Sequence, residues 1–583
     1  MYKTLKYFQR RSTIDLFITS LILLMINTVF AQSSKVVPSI TTSYPDVVIQ
    51  QVAFDPNNIS TWIYNTGIFD QDFRSPNMPG FEWPKASGKF AIFTAGLCIG
   101  AYLNFGEGPE LRKAMCSYKG EYAPGYVDDS GSLPVAKTDS RFKIYKIKRG
   151  DNASNNPDWA NWYLMVPYGA PFIDVNHNGV FEPFIDTPGV RGAQQTLFAC
   201  LTDGFPEEHK LGEGFGGGTK PMFAEMHWTS WGYDNPGLQD MQFMKFELIN
   251  KSTRSWDSTY LGIVADPDLG FPSDDYVGCD SIRNLGYCYN SSDTDGTGNG
   301  LEYGVDPPAV GFVWLNCGQG HNIGLKSFTY FTTPYFLPGD SCESGNSYLM
   351  LKGLKGDGTP WVIPNTSPPQ ITKFCYSGDP ESGTGWTEYM GKILNCGGSL
   401  TGQYIVPVPP GDRKVILGSG AQGYKINFHD TVKVIISQLI ARGTNNKNSV
   451  TKLKQLADVA QQLCNNGFVI GIEKISTNIP KEFALYQNYP NPFNPSTKIK
   501  FDVSPELAPT ESGKGVRGMS IRLTIYDILG REVATLVNEQ LQPGSYEVIW
   551  DGTNYPSGVY YYKLSVSNGM GDYTDTKKMV LIK

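Results

Sequence analysis

Charged residues are scarce in this chain of 583 residues: they make up 18% of it, and the formal net charge is −7. No stretch is rich in lysine and arginine, so the chain lacks the basic surface with which proteins bind nucleic acid or anionic lipid. The 56 acidic residues against 49 basic ones suit the binding of cations instead. We therefore expect no nucleic-acid partner.

Long hydrophobic runs are also lacking, except at the N-terminus. Four basic residues open the chain, and the apolar run Leu16–Phe30 follows them. About fifteen residues are fewer than the roughly twenty that span a bilayer, which disfavours a membrane anchor. Val29-Phe30-Ala31 fits a signal-peptidase site, so residues 1–31 are predicted to be a cleaved signal peptide. No transmembrane segment is then expected in the mature chain.

Local catalytic motifs are missing as well. The sequence has no HExxH, no GxSxG and no Walker-type loop. It has no CxxC pair, which leaves little support for a zinc ribbon or a thioredoxin-like motif. Ten cysteines lie between Cys98 and Cys464, and an even number in an exported chain favours disulfides. The close pair Cys279 and Cys288 is the first candidate for a bridge; the alternative is that several cysteines remain buried thiols.

Glycine, tyrosine and phenylalanine are plentiful, with 63, 33 and 31 residues. This composition is typical of short strands joined by turns, so the fold is predicted to be mainly β and multi-domain. Residues 32–475 are predicted to form a large β-sandwich-type body, and a division of it near residue 235 stays open. Residues 476–482 would be a linker, and residues 483–583 a second domain.

Three segments of the body have clear patterns. Met241–Ile249 alternates as a strand does, and Thr431–Ile440 is apolar on both faces, as in a central strand. Apolar residues from Val450 to Cys464 recur at helical spacing. Asn448 or Ser449 is predicted to cap this helix, and Gly467 to follow its C-terminus.

The segment FIDVNHNGVFEPFID is the best candidate metal site. Calcium takes six to eight oxygen ligands, which a tight loop supplies from alternate side chains and one backbone carbonyl. The predicted ligands are Asp174, Asn176, Asn178, the carbonyl of Val180, and Glu182. The pattern fails at the twelfth position of an EF-hand loop, where Ile185 stands, and the flanking prolines exclude EF-hand helices. The alternative is an Asx turn in which the same side chains bind the backbone.

Two further acidic segments support calcium more weakly. The first contributes Asp266, Asp268, Asp274 and Asp280, together with Asp275. The second contains Asp293, Asp295, Asn299 and Glu302. So many carboxylates within about forty residues require either a cation or solvent around them.

The segment EMHWTSWGYD combines acids with aromatic rings. Glu225 and His227 stand beside Trp228 and Trp231. Paired carboxylates with aromatic surfaces are used by glycoside hydrolases, and aromatic platforms alone bind sugars. The alternative is a buried strand with alternating aromatic residues.

The C-terminal hundred residues are a series of short strands. YPNPFNPSTKIKFDV has three prolines among its first seven residues, which favour a stiff, extended segment. The predicted strands are Thr497–Val503, Ile521–Ile528, Ser545–Trp550, Val559–Val566 and Lys577–Lys583, separated by turn signals. Strands so short and so evenly spaced predict a small β-sandwich.

This region resembles the type A C-terminal sorting domain of type IX secretion cargo, which is immunoglobulin-like and similar to a domain of flagellar hook-capping proteins. The resemblance rests on YPNPFNPST, IYDILGREV, PSGVY and KKMVLIK. Its motif residues here are Tyr489, Pro490, Asn491, Pro492, Tyr526, Asp527, Gly530, Gly558, Tyr560 and Lys578. The polar insert Ser504–Ser520 departs from the family pattern and is interpreted as a long hairpin loop. The alternative is an ordinary immunoglobulin-like module.

The resemblance implies the route of export. The signal peptide would cross the inner membrane, and an outer-membrane translocon would then read the sorting domain. A sortase-like peptidase often removes this domain in such cargo while the protein is joined to surface lipopolysaccharide. The body resembles large extracellular proteins that carry the same domain, and that likeness implies no activity.

Together these features predict a secreted or outer-membrane-surface protein. The leading hypothesis is a non-catalytic structural, adhesive or binding role, with Ca²⁺ as a structural ion. The alternative is an extracellular hydrolase acting on polysaccharide, because glycosidase carboxylates leave little trace in a single sequence.

Overall fold

The structure is a computed structural model. It describes residues 49–583 except 75–77, 130–132, 177, 211–213, 297–299, 318–323, 333–341, 343–344, 466, 469–471, 477–479, 506–518, 542, 553–554 and 568–571. The predicted signal peptide, Asn299 and most of the insert Ser504–Ser520 lie outside the described residues.

Strands dominate the described chain. Those of the first half are β1 Gln51–Phe54, β2 Thr61–Tyr64, β3 Ile68–Phe69, β4 Gln71–Asp72, β5 Met78–Pro79, β6 Phe81–Glu82, β7 Phe90–Ile92, β8 Thr94–Asn104, β9 Pro109–Ala114, β10 Ala123–Pro124, β11 Tyr126–Val127, β12 Pro134–Val135, β13 Tyr145–Lys148, β14 Phe172–Ile173, β15 Thr187–Pro188, β16 Gln195–Thr202, β17 Ala224–Gly232, β18 Met241–Asn250 and β19 Asp257–Asp266. Those that follow in the body are β20 Asp275–Asp280, β21 Leu285–Asn290, β22 Thr294–Asp295, β23 Gly304–Val305, β24 Ala309–Trp314, β25 Ser327–Phe331, β26 Trp361–Ile363, β27 Gln370–Thr372, β28 Lys392–Leu394, β29 Gln403–Ile405, β30 Lys414–Gly420 and β31 Thr431–Ala441. The α-helices are α1 Pro157–Ala160, α2 Ser347–Leu351 and α3 Asn446–Asn465.

Two large antiparallel sheets form the body. Sheet I has the order β1-β2-β3-β8-β19-β30-β25, with β9 on β8. Sheet II has the order β10-β16-β17-β18-β31-β24-β21-β20, with β13 on β16. Residue 235 lies in the connection between β17 and β18, which pair directly, so both sides of that point belong to sheet II.

The sheets enclose one apolar core because their strands alternate. Leu97, Ile99 and Leu103 of β8 point into it from sheet I. Met244 and Phe246 of β18 point into it from sheet II. The predicted central strand is confirmed, since β31 pairs with β18 on one side and β24 on the other.

The predicted helix is confirmed as α3, which covers the outer face of sheet II. Val450, Leu453 and Ala457 pack there against strand residues such as Phe243. The cap differs from the prediction: Asn445 Oδ1 accepts the N–H of Asn448 at 2.8 Å, because the helix begins at Asn446, three or four residues earlier than expected. Gly467 follows the helix with a φ of 67°, as predicted for a C-terminal glycine.

Two disulfides join distant segments: Cys317–Cys464 and Cys342–Cys396. The prediction of a Cys279–Cys288 bridge is wrong, and both are buried thiols. Cys279 lies opposite Gly286, and Cys288 opposite Val277, so the two cysteines are diagonal neighbours on β20 and β21. Diagonal pairs are about 7–8 Å apart, beyond the usual span of a disulfide.

The C-terminal residues form a separate sandwich of two four-stranded antiparallel sheets. Its strands are β32 Ile472–Ser476, β33 Ala484–Leu485, β34 Ser496–Val503, β35 Met519–Tyr526, β36 Glu532–Leu541, β37 Gly544–Asp551, β38 Gly558–Ser567 and β39 Asp572–Leu581. The sheet orders are β32-β37-β34-β33 and β36-β35-β38-β39. Strand β32 begins at residue 472, so this sandwich includes residues that were expected to end the body. The sequence analysis did not predict strand β36.

Candidate functional site

The Asp174 segment forms a surface loop between β14 and β15, and the side chains of its predicted ligands converge. Asn176 Nδ2 and Asn178 Nδ2 both donate to Glu182 Oε2, at 2.5 and 2.6 Å. Asp174 Oδ2 accepts the N–H of Gly179 at 2.7 Å. The amide oxygens bind the backbone: Asn178 Oδ1 accepts the N–H of Val180 at 2.8 Å, and Asn176 Oδ1 accepts that of Asn178 at 3.3 Å, as in the Asx turns given above as the alternative.

Asp186 holds this loop closed. Its Oδ1 accepts the N–H of Val175 at 2.8 Å, and its Oδ2 accepts the N–H of Glu182 at 2.7 Å. Its carboxylate is buried, whereas Val180 is 63% exposed. One acid therefore braces the loop from inside, and the predicted ligands stay near solvent.

A second group of carboxylates lies where β19 ends and β30 begins. Asp266, Asp268 and Asp412 each offer an oxygen, and these oxygens all lie within 4.8 Å of one another. Lys414 Nζ is 2.6 Å from Asp412 Oδ1 and 3.4 Å from Asp266 Oδ1. The ammonium already supplies positive charge here, so a cation would share these ligands with Lys414.

The two acidic sequence segments meet beside this group. Asn290 Nδ2 donates to Asp274 Oδ1 at 2.8 Å and to Asp295 Oδ1 at 3.4 Å. Asp275 is fully buried, and burial together with the charges of Asp274 and Asp295 raises its pKa well above the usual range. Burial also raises the pKa of Asp295 to about 6. This cluster therefore disfavours full ionisation unless a cation joins it.

Asp280 does not belong to either group. It lies at the opposite end of β20 from Asp275, where its Oδ2 accepts a bond from Arg283 Nη1 at 2.8 Å. Arg283 Nε also lies 2.9 Å from Asp458 on α3. Asp280 thus helps to fasten α3 to sheet II.

The aromatic residues of EMHWTSWGYD form no platform. Trp228 points into the core between the sheets, and Trp231 points out beneath the end of α3, where it contacts Phe468. Both are buried, at 1% and 3% exposure. Glu225 and His227 share the outer face, with His227 Nε2 2.7 Å from Glu225 Oε1.

A groove of about 540 Å³ opens at one end of sheet I. Its walls are Tyr102, Asn104, Pro109, Arg254, Ser255, Asp257, Ser258 and Lys425. A break in the register of β8 and β19 between Asp257 and Tyr260 shapes it, and Ser258 there has a φ of 52°. Such bulges redirect side chains beside binding sites.

Aromatic and basic side chains border this groove. Tyr102 and the neighbouring Phe105 are each 36% exposed. The guanidinium carbon of Arg112 lies 4.2 Å from the Phe105 ring centroid. The one carboxylate in the wall, Asp257, is 3.3 Å from Lys425 Nζ.

In the C-terminal sandwich, the YPNPF segment is bound to neighbouring strands. Tyr489 pairs with Lys498, and Phe493 is buried and pairs with Leu581. Asn491 Oδ1 accepts the N–H of Val580 at 3.0 Å, and its Nδ2 donates to the Lys578 carbonyl at 3.3 Å. The Pro490 carbonyl accepts a bond from Thr497 Oγ1 at 2.7 Å. The segment that was predicted to be stiff and extended thus also pairs with strands of both sheets of the sandwich.

Other motif residues build turns. Asp527 Oδ1 accepts the N–H groups of Leu529 and Arg531, each at 2.9 Å, and Gly530 has a φ of 76°. The buried Tyr560 donates to the Pro556 carbonyl at 2.7 Å. Gly558 begins β38, and Pro492 and Lys578 are exposed.

Residues 487–582 match the family model described as the secretion system C-terminal sorting domain. The chain ends in a type IX secretion sorting domain. This domain indicates that the protein is exported to the cell surface or beyond. No curated protein matches the chain at a significant level.

Two solved structures are distant from it. A polysaccharide lyase has 7% identity and a TM-score of 0.17, with 62% of this chain and 35% of the lyase covered. Escherichia coli alpha-2-macroglobulin activated by porcine elastase has 9% identity and a TM-score of 0.12, with 92% of this chain and 53% of the macroglobulin covered. The chain spans about a third of the first protein and half of the second, and neither alignment bears on fold or function.

The sorting domain has a depression of its own, of about 430 Å³. Tyr526, Asp527, Ile528, Gly530, Tyr561, Lys563 and Thr576 line it. Three motif residues thus lie together at one surface, next to the exposed Ile528 and Leu529. Within the described part of the chain, no helix has the length and apolar character to cross a membrane.

Proposed function

We propose that the body is a non-catalytic binding protein, displayed at the cell surface, whose Tyr102 groove takes a glycan. The observation that carries this proposal is the groove itself. The partly exposed Tyr102 offers a ring for stacking on a sugar, and Asn104, Arg254 and Lys425 offer hydrogen-bond donors. Glycoside hydrolases need two carboxylates beside the bond they break, and the groove wall contains one, Asp257, which lies against Lys425.

The groove is tested by incubating the exported protein with a panel of insoluble polysaccharides and measuring retention and soluble products together. Retention without products is the expected result. Soluble products would instead favour the alternative, an extracellular hydrolase. Neither retention nor products would contradict glycan binding and leave a structural surface role.

Variants connect retention to the groove. Tyr102→Ala and Lys425→Ala should each weaken retention at least about tenfold, because a stacked ring or a charged hydrogen bond contributes on the order of 1.5 kcal/mol or more. Tyr163→Ala is the matched control, since Tyr163 is 49% exposed and lies outside the groove wall. Equal loss in the control would mean that binding does not depend on the groove.

We also propose that calcium stabilises the body. The convergent Asp174, Asn176, Asn178 and Glu182 side chains, with the Val180 carbonyl, support one site. Asp266 and Asp268, whose carboxylates converge with that of Asp412, support a second, to which Asp274 was also assigned from the sequence. In both places oxygen atoms predominate, as calcium requires.

The proposed export route follows from the sorting domain. The signal peptide would be cleaved after Ala31, and the translocon would then read the C-terminal sandwich. We propose that a sortase-like peptidase removes the sandwich and that surface lipopolysaccharide holds the body. Detection of a mature surface form lacking the sandwich of residues 472–583 would support this, whereas full-length protein at the surface would contradict cleavage.

A further inference from the structure

Three side chains of different metal-binding types meet on the outer face of sheet II. Cys200 on β16 lies directly opposite His227 on β17, and Glu225 precedes His227 by two residues on the same face. One ligand atom of each lies within 4.8 Å of the other two. All three are buried, at 1%, 8% and 4% exposure.

The segment around β11 covers this trio. Cys200 Sγ lies 3.3 Å from the Gly125 carbonyl, and Glu225 Oε2 accepts the N–H of Val127 at 3.1 Å. Gly169 closes the other side with a φ of 85°, and a Cβ there would lie 2.7 Å from His227 Nδ1. Glycine at this position therefore lets the backbone approach the imidazole ring.

We propose that Cys200, Glu225 and His227 bind a zinc ion, with water as the fourth ligand. Zinc takes thiolate, imidazole and carboxylate ligands in a tetrahedral site, and sites with three protein ligands and a water are common. Calcium and magnesium prefer sites made of oxygen, so the sulfur and nitrogen here select against them. This site is separate from the groove and from the proposed calcium sites.

The distances fit a site whose ligands are drawn together without an ion. His227 Nε2 and Glu225 Oε1 are 2.7 Å apart, which is a hydrogen bond. In a tetrahedron with bonds of about 2.0–2.1 Å, two such ligands stand about 3.3 Å apart. Zinc would therefore move them apart by roughly half an ångström. It would take the place of the hydrogen on His227 Nε2, with the one proton of the neutral ring on Nδ1, and the thiol proton would pass to solvent.

The neighbouring acid on β18 does not enter this trio. Glu247, opposite His227 on β18, lies between Lys245 and Lys433 at 3.1 and 3.0 Å, so it is engaged elsewhere.

Cobalt(II) tests the site because it replaces zinc and has visible spectra. The full-length protein, purified without a histidine tag and stripped with chelator, is titrated with cobalt in excess calcium. The expected result is a sulfur-to-cobalt charge-transfer band that saturates at one equivalent and disappears on adding zinc. Cobalt binding without that band, or no binding, would overturn the proposal.

Variants assign the ligands. Cys200→Ser should abolish the band, and His227→Gln and Glu225→Gln should each weaken cobalt binding at least about tenfold. Cys279→Ser is the control, since Cys279 is also a buried thiol and its Sγ lies 3.3 Å from the Cys375 carbonyl. A band that survives Cys200→Ser would overturn the assignment. If circular dichroism shows that a variant is misfolded, the cobalt titration of the unaltered protein still tests whether the metal site exists.

Discussion

At the scale of single residues, Asp70 is a carboxylic acid inside the main core. It is fully buried, accepts a bond from Thr61 Oγ1 on β2 and another from Gln438 Nε2 on β31, both at 2.7 Å, and so bridges the two sheets. Burial raises its pKa to about 7. The ionised form is therefore unfavourable in the folded protein.

This position should make stability depend on pH. Between about pH 4, where an unfolded aspartate titrates, and pH 7, the folded state binds more protons, so the stability falls as pH rises. Asp70→Asn removes this loss, and we expect the variant to be more stable at pH 8 by up to about 4 kcal/mol and similar at pH 4. Gln438 Oε1 has no hydrogen-bond partner among the described residues. If the Gln438 amide rotates by 180°, this oxygen can accept a hydrogen bond from the amide nitrogen of the asparagine introduced at position 70.

The measurement is chemical unfolding of both proteins from pH 4 to pH 8. Asp139→Asn is the control, because Asp139 is in an exposed pair with Arg141 at 2.6 Å. The explanation fails if the Asp70 variant keeps the pH dependence of the parent.

At the scale of elements, the Asp174 loop gives a test of calcium. Removing calcium should leave the Asp174 and Glu182 carboxylates close together without a counter-charge, which destabilises the loop. We expect a chelator to lower the melting temperature of the protein, and Asp174→Ala to remove most of that sensitivity. Asp139→Ala should retain it. Identical melting of the parent protein with and without chelator would refute the proposal.

The disulfides give a second prediction at this scale. Two bridges involve four cysteines, Cys317–Cys464 and Cys342–Cys396, and leave six. Alkylation of the exported protein in denaturant should therefore add six groups without reductant and ten with it, measured by intact mass. Ten groups before reduction would show that neither bridge forms.

The elements also show what a sequence can predict. Strands β18 and β31 and helix α3 follow from their local periodicity, since one period of apolar residues specifies the buried face. Contacts between distant positions have no such signal. Asp274 and Asp295 were treated as separate groups, and Asn290 joins them. Cys200 and His227 meet only because β16 and β17 pair in one register.

The groove was missed for the same reason. Tyr102 and Lys425 are 323 positions apart in the numbering, and a register break in β19 brings their surroundings together. The sorting motif was the opposite case. Its turns are local, with Asp527 binding the backbone of Leu529 and Arg531, so short sequence patterns sufficed.

At the scale of the whole molecule, the body and the sorting domain have separate hydrophobic cores. The body core contains residues of sheets I and II, and the other core contains only residues from Leu485 to Leu581. Folded units with their own cores can be transferred between proteins. The sorting domain should therefore act as an address without the body.

Deletion and transfer test this address together. Because β32 pairs with β37, the domain is cut before Ile472 and not at residue 483. Deleting residues 472–583 should leave the body in the periplasm, and a reporter that carries the native signal peptide and residues 472–583 should reach the cell surface. Protease accessibility on intact cells measures both.

A matched variant separates folding from recognition. Ile528 is 70% exposed at the edge of the depression, so Ile528→Asp changes the surface without removing a core side chain. If the translocon contacts this depression, the reporter with Ile528→Asp should stay in the periplasm although its sorting domain folds. Ile549→Asp, on the exposed part of β37, is the control and should be exported. Export of both variants would place recognition on another surface of the sorting domain, and retention of both would indicate a general loss of folding.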